Sequence, residues 1–269
     1  MLKTRLIPCI ITRDEMVVQS FNFKRYLPIG NIKTAIEFFV KWDVDEIVVL
    51  DITASKEGRS PNLELINWAS SECFVPLTVG GGIRNNNDIK GLINSGADKV
   101  CINSIVREKP DIINESAEIF GSQCITVSVD VSYDGNDHFI YDYQTNKTIN
   151  TNLEEFILDI QDRGCGEVFL NSVDRDGLRI GYDIDVIKRV TEAVKIPVIA
   201  CGGVGRTFHF SEAVLKTNCS GVSAANIFQH TEHSTIAAKA MLIKDGVNIR
   251  LNGAVNYKDF EFDEMGRPY

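Results

Sequence analysis

The chain is short of positive charge, long apolar runs and paired cysteines, and each shortage removes a class of protein. Its 37 Asp and Glu outnumber 28 Lys and Arg, for a formal net charge of −9. A nucleic-acid platform needs the opposite sign, so none is expected. Small anions stay open, because backbone N–H groups can hold a phosphate inside an acidic protein. No apolar run reaches membrane-spanning length and mean hydropathy is near zero. No membrane part is expected, and the chain reads as cytoplasmic. The opening "MLKTRLIPC" lacks the apolar core and small-residue site of a signal peptide and reads as the start of the fold.

Seven cysteines are present: Cys9, Cys73, Cys101, Cys124, Cys165, Cys201 and Cys219. None forms a CxxC pair and most lie in apolar, strand-like context. They read as small buried hydrophobes in a reducing compartment rather than as disulfides or zinc ligands. The four histidines, His138, His209, His230 and His233, lack metal spacing. His230 and His233 are three apart, but no cysteine or carboxylate pattern completes a site. No metal and no cofactor is expected.

What is present is rhythm. At 269 residues and 44% hydrophobic, the chain can bury one barrel-sized domain or two small ones. Apolar, β-rich runs lie at Leu6–Thr12, Glu46–Asp51, Val75–Val79, Lys99–Asn103, Cys124–Asp130, Glu167–Asn171, Ile196–Cys201 and Gly221–Ala225. Between them come helical patterns. "NIKTAIEFFVKW" repeats apolar residues at helical spacing, and "DIKGLINSGA" places Ile89, Leu92 and Ile93 on one face before Gly96, a stop signal. Eight strands alternating with helices predict an α/β fold, a parallel (β/α)8 TIM barrel.

An internal repeat supports the barrel over a doubly wound open sheet. "EIVVLD" at Glu46 is echoed by "EVFLNS" at Glu167, and "VPLTVGGGI" at Val75 by "IPVIACGGV" at Ile196. Two similar half-barrels, about 1–122 and 123–251, close into one domain. Two segments break the rhythm, Arg13–Asn31 and Tyr133–Thr151. They read as a long loop after the first strand and a polar, turn-rich excursion after the fifth, and long loops on a compact scaffold are often binding elements or lids. The acidic, aromatic tail, 252–269, shows no period and is expected to be partly ordered at best.

In such barrels the chemistry sits at the carboxyl ends of the strands. Those ends carry Gly81 and Gly82 after the third, Asn103 and Ser104 at the fourth, Asp176 and Gly177 after the sixth. Gly202 and Gly203 follow the seventh, and Ala224 and Ala225 end the eighth. One glycine run could simply make a tight turn. Two runs related by the repeat suit a ligand with a phosphate at each end, whose oxygens meet backbone N–H groups.

The segments "VLDITASKEGR", "TVGGGIR", "GADKVCINS", "FGSQCITVSVD", "GEVFLNSVDRDG" and "IPVIACGGVG" together resemble the cyclase subunit of imidazole glycerol phosphate synthase, from Met1 to about Leu251. The resemblance implies phosphate contacts at Gly82, Asn103, Ser104, Asp176, Gly177, Gly203, Ala224 and Ala225. It implies ammonia from a glutaminase partner, used to cleave and cyclise a bis-phosphate ribonucleotide. It also implies two catalytic aspartates, at the ends of the first and fifth strands. The fifth-strand position is Asp130; the first falls on Ile11, which can neither give nor take a proton. Losing one of an acid/base pair typically costs about 10²–10⁴-fold in rate. The next loop departs too: Gln19 stands where the family has a lysine, and Glu15 where it has a glycine. Asp14, three residues past Ile11, matches the family's own loop aspartate and is not expected to substitute.

The strand starts carry Arg5, Glu46, Lys99 and Glu167. A balanced charge ring could be a plug, but the resemblance implies the gate by which ammonia enters, with Asp98 beside it on the partner-docking face. "RLIPCII", "NFKRYLPIGNIKTAIEFF", "ASKEGRSPNLELI" and "SSECFVPLTVGGGI" resemble a branch associated with acetamidino-sugar modification, also termed glycosyl amidation-associated. That branch implies a glutaminase homologue and a separate sugar amidotransferase as partners. The expectation is thus the barrel subunit of a glutamine-dependent assembly that binds a phosphorylated small molecule. A true cyclase of histidine biosynthesis, a carbon–nitrogen lyase, is the competing reading. A sugar-phosphate isomerase on the same barrel is disfavoured, since it too needs an acid on the first strand. A scaffold with no ligand is the last alternative.

Overall fold

The computed structural model describes residues 3–229 and 234–263; His230 and His233 lie outside them. In chain order the elements are β1 (Arg5–Arg13), β2 (Met16–Phe21), β3 (Arg25–Asn31), α1 (Ile32–Lys41), β4 (Ile47–Asp51), α2 (Leu63–Glu72), β5 (Leu77–Gly80), α3 (Asn86–Asn94), β6 (Lys99–Ile102), α4 (Ser104–Glu108), α5 (Ile112–Phe120) and β7 (Ile125–Tyr133). Then come β8 (His138–Asp142), β9 (Lys147–Ile149), α6 (Leu153–Asp162), β10 (Glu167–Ser172), α7 (Ile184–Ala193), β11 (Val198–Cys201), α8 (Phe208–Thr217), β12 (Gly221–Ala224) and α9 (Ser234–Lys244).

Strands β1, β4, β5, β6, β7, β10, β11 and β12 pair in that order, all parallel, and β12 pairs back onto β1. With helices between them this is the closed (β/α)8 TIM barrel. Alternation along each strand sorts the side chains. Leu6, Ile10, Ile47 and Val49 pack outward into the main core with Ile36 and Phe39 of α1. Ile7, Cys9, Val48, Cys101, Phe169, Ile199 and Cys201 fill the barrel interior. Asparagine starts several helices: Asn31, Asn62, Asn85 and Asn152 each accept a backbone N–H of the first turn.

The eight barrel strands fall where periodicity places them, several shortened by one residue and two shortened by two residues for one cause. The runs beginning at Val75 and Ile196 become strands only at Leu77 and Val198. Pro76 and Pro197 have no N–H, so they enter the ladder as acceptors alone, from Ile47 and Val168.

Both expected loops are corrected. Arg13–Asn31 is not a long loop: β1 turns sharply into β2, which pairs antiparallel with β3. The turn uses Asp14 and Glu15, both at positive φ (51° and 64°), a backbone usually announced by Gly or Asn. Pro28 sits in β3, an edge strand, beside a register shift at Val17/Val18. Tyr133–Thr151 does leave the barrel as an excursion, but as paired strands rather than a loop. Strand β7 runs past the barrel to Tyr133 and carries the antiparallel β8 and β9. Its turn is tied by Asp134, whose carboxylate accepts the N–H groups of Asn136 and Asp137. Beyond Leu251, the described tail runs to Asp263 as turns; the Tyr257 hydroxyl donates to Asp43, which also binds the buried Lys239 ammonium at 3.1 Å.

Candidate functional site

The carboxyl ends of the barrel strands surround a pocket open to solvent, about 1080 Å³ out to its mouth. Ile11, Gly81, Gly82, Asn103, Ser104, Asp130, Asp176, Gly177, Gly202, Gly203, Ala224 and Ala225 all line it. The structure thus brings these residues together from strand ends more than two hundred positions apart.

The glycines are where a side chain would not fit. A Cβ on Gly82 (φ 74°) would stand 2.5 Å from the Arg59 carbonyl oxygen, and one on Gly203 (φ 95°) 2.2 Å from that of Gly181. These are repeat-related positions with the same left-handed backbone, so each half builds a backbone cradle. In the first half, Asp51 at the end of β4 organises the adjoining loop. Its carboxylate accepts from Thr53 N (3.0 Å), Thr53 Oγ1 (2.9 Å) and Ala54 N (3.0 Å), and pairs with Arg59 at 3.1 Å.

Asp51, Asp130 and Asp176 are the carboxylates among the described lining residues, and they differ in what holds them. Asp176 is buried and accepts the Ser20 hydroxyl at 2.5 Å; Asn226 exchanges hydrogen bonds with the Ser20 backbone. These contacts pin the β2–β3 hairpin over the second cradle. Asp130, 5% exposed, accepts Asn103 Nδ2 at 2.8 Å and a hydrogen bond from the Asn171 side chain. Arg107 holds Asn103 Oδ1 at 2.7 Å and is itself held by Asp142 of β8 at 2.6 Å. Burial pushes the Asp130 carboxyl up to about 6, against the two amides and the more distant Arg107 charge. Such a group changes charge near neutral pH. Burial raises the Asp176 carboxyl too, opposed by Ser20.

No carboxylate faces Asp130 from β1: the wall there is Cys9 and Ile11. Asp14 sits in the exposed β1–β2 turn, 3.8 Å from Arg13 and outside the pocket lining. Gln19 is buried on β2. The three interior thiols are poor nucleophiles, since burial raises Cys9 and Cys101 and brings Cys201 to about 12.

The opposite mouth is closed by Arg5, Glu46, Lys99 and Glu167. Arg5 donates to Glu46 at 2.7 Å and also to Glu167. Lys99 reaches Glu46 at 3.0 Å and Glu167 at 3.0 Å, completing a four-membered ring, and Thr78 donates to Glu46 at 2.6 Å. Asp98, next to Lys99, accepts Leu77 N at 2.8 Å. Asp45, next to Glu46, does the same to Leu6 N at 2.8 Å. Each fixes one ring residue's strand to its neighbour, which gives Asp98 a structural task of its own.

The profile of the histidine biosynthesis protein family matches residues 5–235, spanning both cradles and the whole ring. The chain belongs to this family. It is 55% identical over 269 residues to a Vibrio vulnificus protein provisionally named imidazole glycerol phosphate synthase subunit hisF2, covering 100% of this chain and 99% of that one. It is 40% identical over 254 residues to the imidazole glycerol phosphate synthase subunit HisF of Caulobacter vibrioides (94% and 98% covered), and 42% identical over 254 residues to that of Hydrogenobaculum sp. (93% and 100%). The chain is therefore a HisF-like barrel. Among its described residues no helix is long and apolar enough to cross a membrane.

Sequence reasoning missed part of this HisF-like pocket. Asn171 is the penultimate residue of β10 and Asn103 follows β6, so the strand-end criterion that flagged one could have flagged the other. Ser20, Phe23, Tyr26 and Tyr143 also line the pocket. They come from the two hairpins, and reading these as loops hid which residues point inward. Phe23 meets Tyr141 edge-on at 6.2 Å, so the hairpins touch above the pocket.

Proposed function

We propose that this HisF-like chain is the barrel subunit of a glutamine-dependent assembly. It receives ammonia from a glutaminase homologue docked at the ring, near Asp98, and passes nitrogen on for acetamidino modification of a surface-polysaccharide sugar by a separate amidotransferase. In this reading Arg5, Glu46, Lys99 and Glu167 gate the ammonia. The cradles at Gly81, Gly82, Asn103 and Ser104, and at Asp176, Gly177, Gly202, Gly203, Ala224 and Ala225, hold the ends of a phosphorylated ligand, and Asp130 orients it.

The observation that carries the reading is Ile11 in the wall that faces Asp130. Proton transfer at two places on a substrate needs two ionisable groups on opposite sides, and this pocket has one such group available. The other two lining carboxylates are committed to Arg59 and to Ser20. Higher identity to hisF2 (55%) than to the HisF subunits (40–42%) agrees with a separate branch.

The second reading, a working cyclase of histidine biosynthesis, draws on the same relatives' names. Complementation separates the two. A histidine auxotroph lacking the cyclase subunit is expected not to grow when given this chain and its glutaminase homologue. Growth at the rate supported by an authentic cyclase would refute the proposal.

A further inference from the structure

The ring end of the barrel carries one segment that the proposed function leaves unused, the tail beyond Leu251. Ile249 bridges to Thr4 just before β1, which sets the residues that follow beside the amino ends of the strands. There the Tyr257 hydroxyl donates to Asp43, in the connection from α1 to β4. Burial, with Asp43 beside it, pushes the Tyr257 phenol up to about 12, so it keeps its proton to donate. Asp43 opens a line of largely buried charges. Lys239, fully enclosed, lies 3.1 Å from Asp43 and 2.9 Å from Asp45. Asp45, next to Glu46, accepts Leu6 N, next to Arg5. Opposite charges in such a line hold one another in place, because moving one leaves another uncompensated. Through Tyr257 the tail is therefore tied to both strands that start with the ring residues Arg5 and Glu46. Farther along, Phe262 stacks on Phe260 with centroids 6.5 Å apart and lies under the Lys244 ammonium at 5.6 Å.

These anchors use one side of the tail. Leu251, Lys258, Asp259 and Glu261 stay exposed. A segment already fixed in place loses less conformational freedom when a partner binds it. Its occurrence points to the partner. The alignment with the hisF2 relative takes in the whole of this chain. Those with the HisF subunits of Caulobacter and Hydrogenobaculum cover 93–94% of it while using 98–100% of those proteins. That shortfall is about the length of residues 252–269. We propose that the tail is a selection rim at the ring end, gripped by the glutaminase homologue of this assembly and not by a glutaminase that serves a HisF of the shorter kind. Asp259 and Glu261 call for basic side chains on that partner, since matched charges at the edge of an interface choose between partners. The inference rests on the proposed function for the docking face and adds the residues that choose who docks.

The test is calorimetric titration of the full-length chain with two purified glutaminases, its own homologue and the one that serves Caulobacter HisF. The first is expected to bind roughly tenfold or more tightly than the second, and to bind less tightly as salt rises. Asp259→Lys combined with Glu261→Lys, both on exposed positions, should weaken the first by roughly tenfold and leave the second and the melting temperature unchanged. Tyr257→Phe, which unties the tail, should weaken the first by a smaller factor. Hydrogen exchange at residues 252–263 should slow when the homologue binds. Equal affinity of the wild type for both glutaminases, an equal loss of both in the double variant, or no loss of either would overturn the rim while leaving docking at the ring intact. A wild type that binds neither glutaminase would overturn the docking face itself, and the rim with it.

Discussion

Glu46 and Asp130 are both nearly buried carboxylates inside one barrel, at opposite ends, and they are held differently. Glu46 touches two cations, Arg5 and Lys99, and a hydroxyl. Asp130 touches two neutral amides, with Arg107 one residue further away. A carboxylate set between two cations closes a ring of ion pairs. One matched only by amides is left near its ionisation point. The ring end is thus a network of mutually paired charges, while the pocket end holds a carboxyl raised by burial to about 6. That pocket charge has no carboxylate facing it from the β1 wall.

Breaking the ring should give the largest effect on stability. Glu46→Gln leaves Arg5 and Lys99 sharing one carboxylate, and losing one partner of a buried ion pair typically costs about 3–5 kcal/mol. Denaturant unfolding of the purified variant checks this. At the pocket end the sign reverses. The folded carboxyl of Asp130 lies above its usual range, so its contribution is most favourable at low pH and is lost as pH rises through about 6. Asp130→Asn should therefore stabilise the chain at pH 8, on the order of 2 kcal/mol, and the gain should shrink towards pH 5. Melting curves at both values decide the point.

Smaller effects sharpen the comparison. Gly203→Ala strains a left-handed backbone against the Gly181 carbonyl and should cost about 1–3 kcal/mol, together with binding of inorganic phosphate measured by calorimetry. Smallest, Arg107→Met removes a nearby positive charge and the clamp on Asn103. It should raise the Asp130 carboxyl further above its usual range, read by NMR titration, with little change in melting temperature.

The barrel was legible because its strands are apolar runs, five of them ended or followed by glycine, asparagine or another small residue, and because the halves repeat. Gly82 and Gly203 could be paired from the sequence alone, and the structure gives them the same backbone. The hairpins were not legible. Asp14-Glu15 carries no glycine to mark its turn, Pro28 argues against a strand, and β8 and β9 are short and partly polar. Their order comes from tertiary contacts instead: Ser20 with Asp176 and Asn226, Asp142 with Arg107. Asp98 shows the reverse limit. The family resemblance marked it as a docking residue, and the structure adds a second task that no sequence pattern announced, accepting Leu77 N–H.

The most direct test of the account is turnover of the histidine-pathway bis-phosphate ribonucleotide by the purified chain with ammonium salts, wild type against Ile11→Asp, followed by product absorbance. The account predicts no measurable turnover by the wild type and a rate that rises roughly 10²-fold or more above the wild-type limit when the second carboxylate is supplied. A wild type that turns over like an authentic cyclase, and loses nothing by keeping isoleucine, would contradict it.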